Sequence, residues 1–159
     1  MNSTSSMQIA ATALTAQRLR MDVISSNIAH AETTRTPNGG PYRRNRVVFS
    51  EAPQASQFQR AVGRSGLDLP RMATSGPSTE ASIAGVIVSG IVEDPSPPRL
   101  AYDPSHPDAD DRGYVAYPNI DITTEMADML SATRAYEANV TVVNASKGMA
   151  LKALDIGRG

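Results

Sequence analysis

The stretch 120–156, IDITTEMADMLSATRAYEANVTVVNASKGMALKALDI, decides the fold. Apolar or β-branched residues recur there at Ile122, Met126, Met129, Thr133, Tyr136, Val140, Val143, Ala150 and Leu154. The steps are mostly three and four, the spacing of a helix face near period 3.5. Asp121 or Thr123 is placed to cap its start, and Glu125 and Asp128 sit where the helix dipole favours acid. Lys152 falls in the last turn and Gly157 just beyond it, a C-terminal stop. Lys147 interrupts the stripe, and Gly148 costs about 1 kcal/mol relative to alanine. A helix of ~35 residues is ~50 Å long, too long for this chain's own core to cover, so it needs a partner.

The other end of the chain offers one. Met7, Leu14, Met21 and Ile28 stand seven apart, with Ala10, Ala11, Gln17 and Ile24 between them. This is a second heptad stripe, and its small residues permit close approach. The expected architecture is α+β: long N- and C-terminal helices forming a coiled-coil-like pair, with a small β-rich module inserted between them. The organisation reads as an N-terminal helix over 1–32, a loop and strand over 33–62, a linker and small β module over 63–119, and a C-terminal helix over 120–159.

Composition sets bounds on this plan. The chain has 159 residues, no Trp, only Phe49 and Phe58, and much of its apolar content is Ala. Alanine buries little area at ~25 cal/mol per Å², so low stability is expected for a lone copy, with neighbouring chains completing the burial. Residues 1–64 hold eight arginines against Asp22, Glu32 and Glu51, a balance of +5. Residues 65–159 hold seven basic and thirteen acidic side chains, a balance of −6. That asymmetry suits contact between copies; it is equally compatible with a solvated surface. The absence of cysteine removes thiol catalysis, disulfides and Cys-type zinc sites. No basic segment followed by an apolar one marks a Sec signal at the start, and no apolar run approaches a membrane span.

Between the helices, residues 2–6 are polar and expected to be loose. The first helix is expected from about 5 to about 30. Residues 31–41 are dense in turn formers. Strands are expected at 42–49, 86–92, 100–102 and 114–117, the second being β-branched and the clearest. The Ser-, Gly- and Pro-rich stretch 63–85 reads as a linker.

Candidate chemistry is sparse. Residues 108–113, DADDRG, place acids and a glycine as a calcium loop begins, but Arg112 and Asn119 stand where ligands belong. His30 and His106 have neither a nucleophile elbow nor strand–helix alternation around them. His30, just past the first helix, favours its dipole when protonated. Tyr42 with Arg43, Arg44 and Arg46 is a weak nucleic-acid footprint in a chain of net charge −1, and contact with acids of a neighbouring copy is the better reading. Met126, Met129 and Met149 read as helix-interface residues rather than ligands. No catalytic residue, metal site, cofactor or nucleic-acid partner is expected.

The segment 17–31, QRLRMDVISSNIAHA, resembles the N-terminal signature of the flagellar rod and hook family, with His30 in place of the second Asn of an Asn-Ile-Ala-Asn run. The segments 134–139, RAYEAN, and 150–158, ALKALDIGR, look like its C-terminal counterpart. Residues 33–44 and 113–119 look most like its proximal-rod members. The resemblance covers both ends and adjoining loops, and carries the motif residues Ser25, Asn27, Ile28, Ala29, Arg134, Tyr136, Glu137 and Asn139. It implies a structural protein of the bacterial flagellar basal body, polymerising through its terminal helices into a torque-transmitting tube that spans the periplasm. It implies export by the flagellar type III apparatus. It also implies as partners copies of itself, the rod proteins FlgB, FlgF and FlgG, and FliE, without membrane insertion. The assembly interface is expected on Met7, Leu14, Met21, Ile24, Ile28, Met126, Met129, Tyr136, Val140, Val143, Leu151 and Leu154. The rival reading is a helical-hairpin binding module or export chaperone forming small oligomers.

Overall fold

The computed structural model describes residues 3–52 and 85–157. In chain order these form α1 (Ser3–Ala29), β1 (Asn45–Glu51), β2 (Val86–Glu93), β3 (Arg99–Tyr102), β4 (Tyr114–Tyr117) and α2 (Ile122–Ile156). The α+β plan holds. Helix α1 begins inside the segment 2–6 that its polarity marks as loose. The linker expected at 63–85 lies outside the described residues, apart from Gly85.

Helix α2 starts where the sequence places its cap. Asp121 Oδ1 accepts the Thr123 amide at 3.0 Å, and its Oδ2 accepts the Thr124 hydroxyl at 2.7 Å. These bonds, the Thr124 hydroxyl first, hold the Asp121 carboxyl below its ordinary 3.8. At the far end the Gly157 amide donates to the Ala153 carbonyl, with Gly157 in the ordinary right-handed region.

The two helices run antiparallel. Asn27 meets Glu125, while Met21, six residues earlier on α1, meets Thr133, eight residues later on α2. Helix α2 is 35 residues long and α1 is 27. At 1.5 Å per residue they span about 52 and 40 Å, so the last two turns of α2 run past Ser3. Every described residue from 149 to 157 is exposed.

Among the described residues the middle of the chain makes two separate two-stranded sheets. Strand β1 pairs antiparallel with β2, from Asn45↔Glu93 to Glu51↔Val86, with a register shift between Val48 and Phe49. Strand β3 pairs antiparallel with β4, from Arg99↔Tyr117 to Tyr102↔Tyr114. The first sheet lies along α1, on which it is anchored by the Val86 amide donating to Thr12 Oγ1 at 3.2 Å. Gly85 permits this approach, since a Cβ there would come within 2.6 Å of the same oxygen. The second hairpin closes through Gly113, whose φ of +81° an L side chain rarely adopts.

The core is small, as the alanine content implies. Buried apolar residues among those described are Ala10, Ala16, Val23, Ile24, Ala31, Val115 and Ala132. One polar atom interrupts it: Gln17 Oε1 is buried without a hydrogen-bond partner. An unpaired buried acceptor costs about 1–3 kcal/mol. Gln17→Leu should therefore stabilise the isolated chain by about 1 kcal/mol, a rise in Tm of about 2–4 °C by circular dichroism. An unchanged or lower Tm would contradict this.

The cap has a pH signature. The folded Asp121 pKa lies below the unfolded value of 3.8. Its stabilisation is therefore complete above the unfolded value and is lost as pH falls through the lower folded one. Asp121→Asn should flatten the acid limb of a Tm–pH profile below pH 4 and leave its shape near neutrality unchanged. An unaltered acid limb would count against the cap's contribution.

Candidate functional site

The end of α1, the start of β1 and the first turns of α2 converge on one buried polar junction. Asn27, 1 % exposed, lies at its centre. Its side-chain amide donates to the Asn45 carbonyl at 2.9 Å and to Glu125 Oε2 at 3.1 Å. Its Oδ1 accepts the Asn45 amide at 3.0 Å and the Tyr42 hydroxyl at 3.2 Å. All the capacity of this side chain is used, which is what burial of an amide requires.

Glu125 is equally buried, at 1 %. A carboxylate there needs a counter-charge, and Arg44 supplies it. Arg44 Nε donates to Glu125 Oε1 at 2.6 Å, and Arg44 Nη2 pairs with the same oxygen. Nη2 also reaches Asp128 Oδ2 at 3.5 Å, and Arg20 meets Asp128 Oδ1 at 3.4 Å. Charges thus alternate along Glu125, Arg44, Asp128 and Arg20, and tie three chain segments together. The partners of Arg44 are acids of its own chain, where the sequence pointed to a neighbouring copy. Arg43 and Arg46 are exposed.

The outer rim is aromatic. His30 stacks on Tyr42 with ring centroids 4.7 Å apart, and its Nδ1 lies 3.1 Å from Thr33 Oγ1. His30 therefore braces the loop after α1. The acidic turn at 108–113 is likewise engaged. Asp108 accepts the Thr34 hydroxyl at 2.8 Å, and Asp110 accepts the amides of Arg112 and Tyr114. Two open clefts, of about 130 and 380 Å³, flank the junction, one beside Tyr42, Arg43 and Asp94 and the other beside Glu32, Arg99 and Asp121. Among the described residues no three His, Cys, Asp or Glu side chains are grouped to hold a metal ion.

The helix faces differ from the apolar stripe by one residue. The inner seam of α2 is Glu125, Met129, Ala132, Tyr136, Asn139, Val143 and Ser146, with Glu125, Ala132 and Ser146 fully buried. Met129, Tyr136 and Val143 of the expected interface lie on it, half-buried. Met126, Leu151 and Leu154 lie outside it, 61 %, 54 % and 65 % exposed, and Val140 is half-buried beside it. Lys147 therefore does not interrupt the helix–helix contact; it belongs to the outer face. On α1, Ile24 is buried, Leu14, Met21 and Ile28 are half-buried and Met7 is exposed.

Two further seams of α2 remain largely open, though Thr133 on the first meets Met21 of α1 and Val140 is half-buried. One runs along Met126, Leu130, Thr133, Glu137, Val140, Asn144, Lys147, Leu151 and Leu154, in steps of four and three. The other holds Val142, Met149 and Ile156, seven apart and each at least 45 % exposed. Of the motif residues, Asn27 is the hub of the junction. Asn139 donates to the Ala135 carbonyl at 2.8 Å, whereas Ser25, Ala29, Arg134 and Glu137 are exposed. Sequence reasoning missed Arg20, Tyr42, Arg44, Asn45, Glu125 and Asp128 as a set. Asn27 inside an apolar heptad was the available signal, since a polar residue at a seam position needs a partner.

Comparison with known proteins accounts for the two segments that meet here. Residues 7–35 match the family described as flagella basal body rod protein, and residues 111–156 match the flagellar basal body rod FlgEFG protein C-terminal family. The flagellar basal-body rod protein FlgC of Borreliella burgdorferi is 47 % identical over 98 % of this chain and 97 % of its own length. The chain belongs to the FlgC family. FlgC of Bacillus subtilis is 46 % identical over 96 % of this chain and 97 % of its own, and FlgC of Yersinia enterocolitica 39 % over 94 % of each. This FlgC-family chain is thus a structural component of the flagellar basal-body rod, and its relatives are rod proteins rather than enzymes. In FlgC terms, the Asn27–Glu125 bond joins the N-terminal family segment to the C-terminal one.

The junction predicts unequal losses. Arg44→Ala strands Glu125 and should cost about 3–5 kcal/mol. Glu125→Ala leaves Arg44 with Asp128 and partial access to water and should cost less, about 1–3 kcal/mol. The double variant should lose less than the sum of the two. Urea melts of the four proteins measure this, and strict additivity would show that the pair is not coupled.

Proposed function

We propose that this FlgC-family chain polymerises through its terminal helices into a tubular rod that spans the periplasm and transmits torque. The observation that carries the reading is the set of large apolar side chains on α2 that α1 leaves exposed, Met126, Leu130, Val142, Met149, Leu151 and Leu154, together with the final turns that outrun α1. Exposed apolar area on this scale marks an interaction surface. Helices α1 and α2 build the tube, and the strands between them project from it. Long helices side by side suit torque, because their backbone hydrogen bonds run along the load.

The partners in this reading are copies of the chain, FlgB, FlgF and FlgG, with FliE below. Export runs through the flagellar type III apparatus. Membership in the rod family does not favour the rival reading of a binding module or chaperone.

Val142→Asp and Met149→Asp test the reading on the second seam. Both side chains are exposed, so the isolated variants should keep the wild-type helical signal and a stability within about 0.5 kcal/mol of wild type. Each should abolish swimming in a soft-agar motility assay with the protein still produced. Normal swimming by both variants would overturn the reading.

A further inference from the structure

The first open seam of α2 is complementary to itself when a second copy lies antiparallel to it, and we infer that two copies of this chain pair there. In a heptad seam, alternate core positions of one helix meet the opposite kind on an antiparallel partner. Applied to this seam, that rule admits registers in which facing residue numbers sum to 284 or differ from that sum by a multiple of seven, and 284 is the one that sets Glu137 against Lys147. Leu130 then faces Leu154, Thr133 faces Leu151, Glu137 faces Lys147 and Val140 faces Asn144. Two-fold symmetry repeats each layer, giving two Leu–Leu contacts and two Glu–Lys contacts.

The structure leaves six of these eight side chains exposed, while Thr133, which meets Met21 of α1, and Val140 are half-buried. Leu130, Leu151 and Leu154 are 53 %, 54 % and 65 % exposed, and Glu137, Asn144 and Lys147 are exposed. Glu137 and Lys147 have no ion pair with each other or any other described residue. Their charges are opposite, and each lies five residues from position 142, the point about which this pairing is symmetric. A parallel, in-register partner would instead set Glu137 on Glu137 and Lys147 on Lys147.

The composition also sets the strength. Only the leucine layers are wholly apolar, and exposed Glu–Lys pairs contribute about 0.3–0.5 kcal/mol each. The dimer is therefore weak, reversible and sensitive to salt. Its interface is isologous and closes on itself, so it cannot propagate. Its two α2 helices point in opposite directions, which a polar filament cannot accept. The dimer therefore covers the seam in free copies and must part before a copy joins the rod. That consequence, unlike the dimer itself, rests on the assembly reading above.

The full chain has no cysteine, so engineered disulfides report contacts directly. Leu130→Cys and Leu154→Cys should crosslink when mixed under mild oxidation. Neither should crosslink alone, because like positions lie ~36 Å apart along the paired helices and a disulfide spans a Cα separation of about 4.4–6.8 Å. The chain carrying both substitutions should give a closed, doubly linked dimer. Glu137→Lys should weaken dimerisation at least threefold in sedimentation equilibrium, and adding Lys147→Glu should restore it. Self-crosslinking of either single variant, a ladder of longer oligomers from the double variant, or no crosslink from the mixture would each overturn the proposal. The assembly reading is judged separately, by swimming of the Val142 and Met149 variants, which lie on the other seam.

Discussion

The fold depends on a charge that has been taken out of water. Glu125 is buried in the first turns of α2, and a carboxylate in that position is tolerable only with a counter-ion and satisfied oxygens. Arg44 and Asn27 provide both. Because these partners come from the approach to β1 and the end of α1, satisfying one group fixes three segments. The loop from Ala31 to Arg44 cannot drift without stranding the arginine. Helix α2 cannot slide along α1 without stranding the carboxylate. A polar junction of this kind sets register more than it adds stability, since apolar residues of similar volume can stabilise a packed site equally well.

Register matters because the apolar packing that would otherwise set it is slight. The buried positions of the inner seam are Glu125, Ala132 and Ser146, and α1 buries Ala10, Ala16, Val23, Ile24 and Asn27. Small side chains let helices approach closely but contribute little area, at ~25 cal/mol per Å². The larger side chains, Met126, Leu130, Met149, Leu151 and Leu154, are on the outside. A lone chain therefore aligns its helices with polar bonds and keeps most of its large apolar groups on outward faces. That distribution fits a rod subunit.

Both helices were legible because each repeats its apolar residues at helical spacing over many turns. The β-branched run at 86–92 was legible for the same local reason, and it appears as β2. Which face of α2 turns inward was not. The stripe through Met126 and Val140 is the more apolar, and apolarity alone assigns it to the interior. The face that turns inward is one residue away, and its smaller side chains fit against α1. Glu125 was legible as an acid near a helix start; its burial depends on Arg44, 81 residues away, and no local pattern links the two. His30 reads as a dipole partner from position alone, and only the fold brings Tyr42 beneath it.

Hydrogen exchange on the dilute monomer, compared with the assembled protein, tests the central claim most directly. The junction should make residues 20–29 of α1 and 125–136 of α2 the slowest-exchanging helical amides in the monomer. Residues 147–157 should exchange far faster, and slow markedly on assembly. Uniform protection along the whole of α2 in the monomer, unchanged by assembly, would contradict the account.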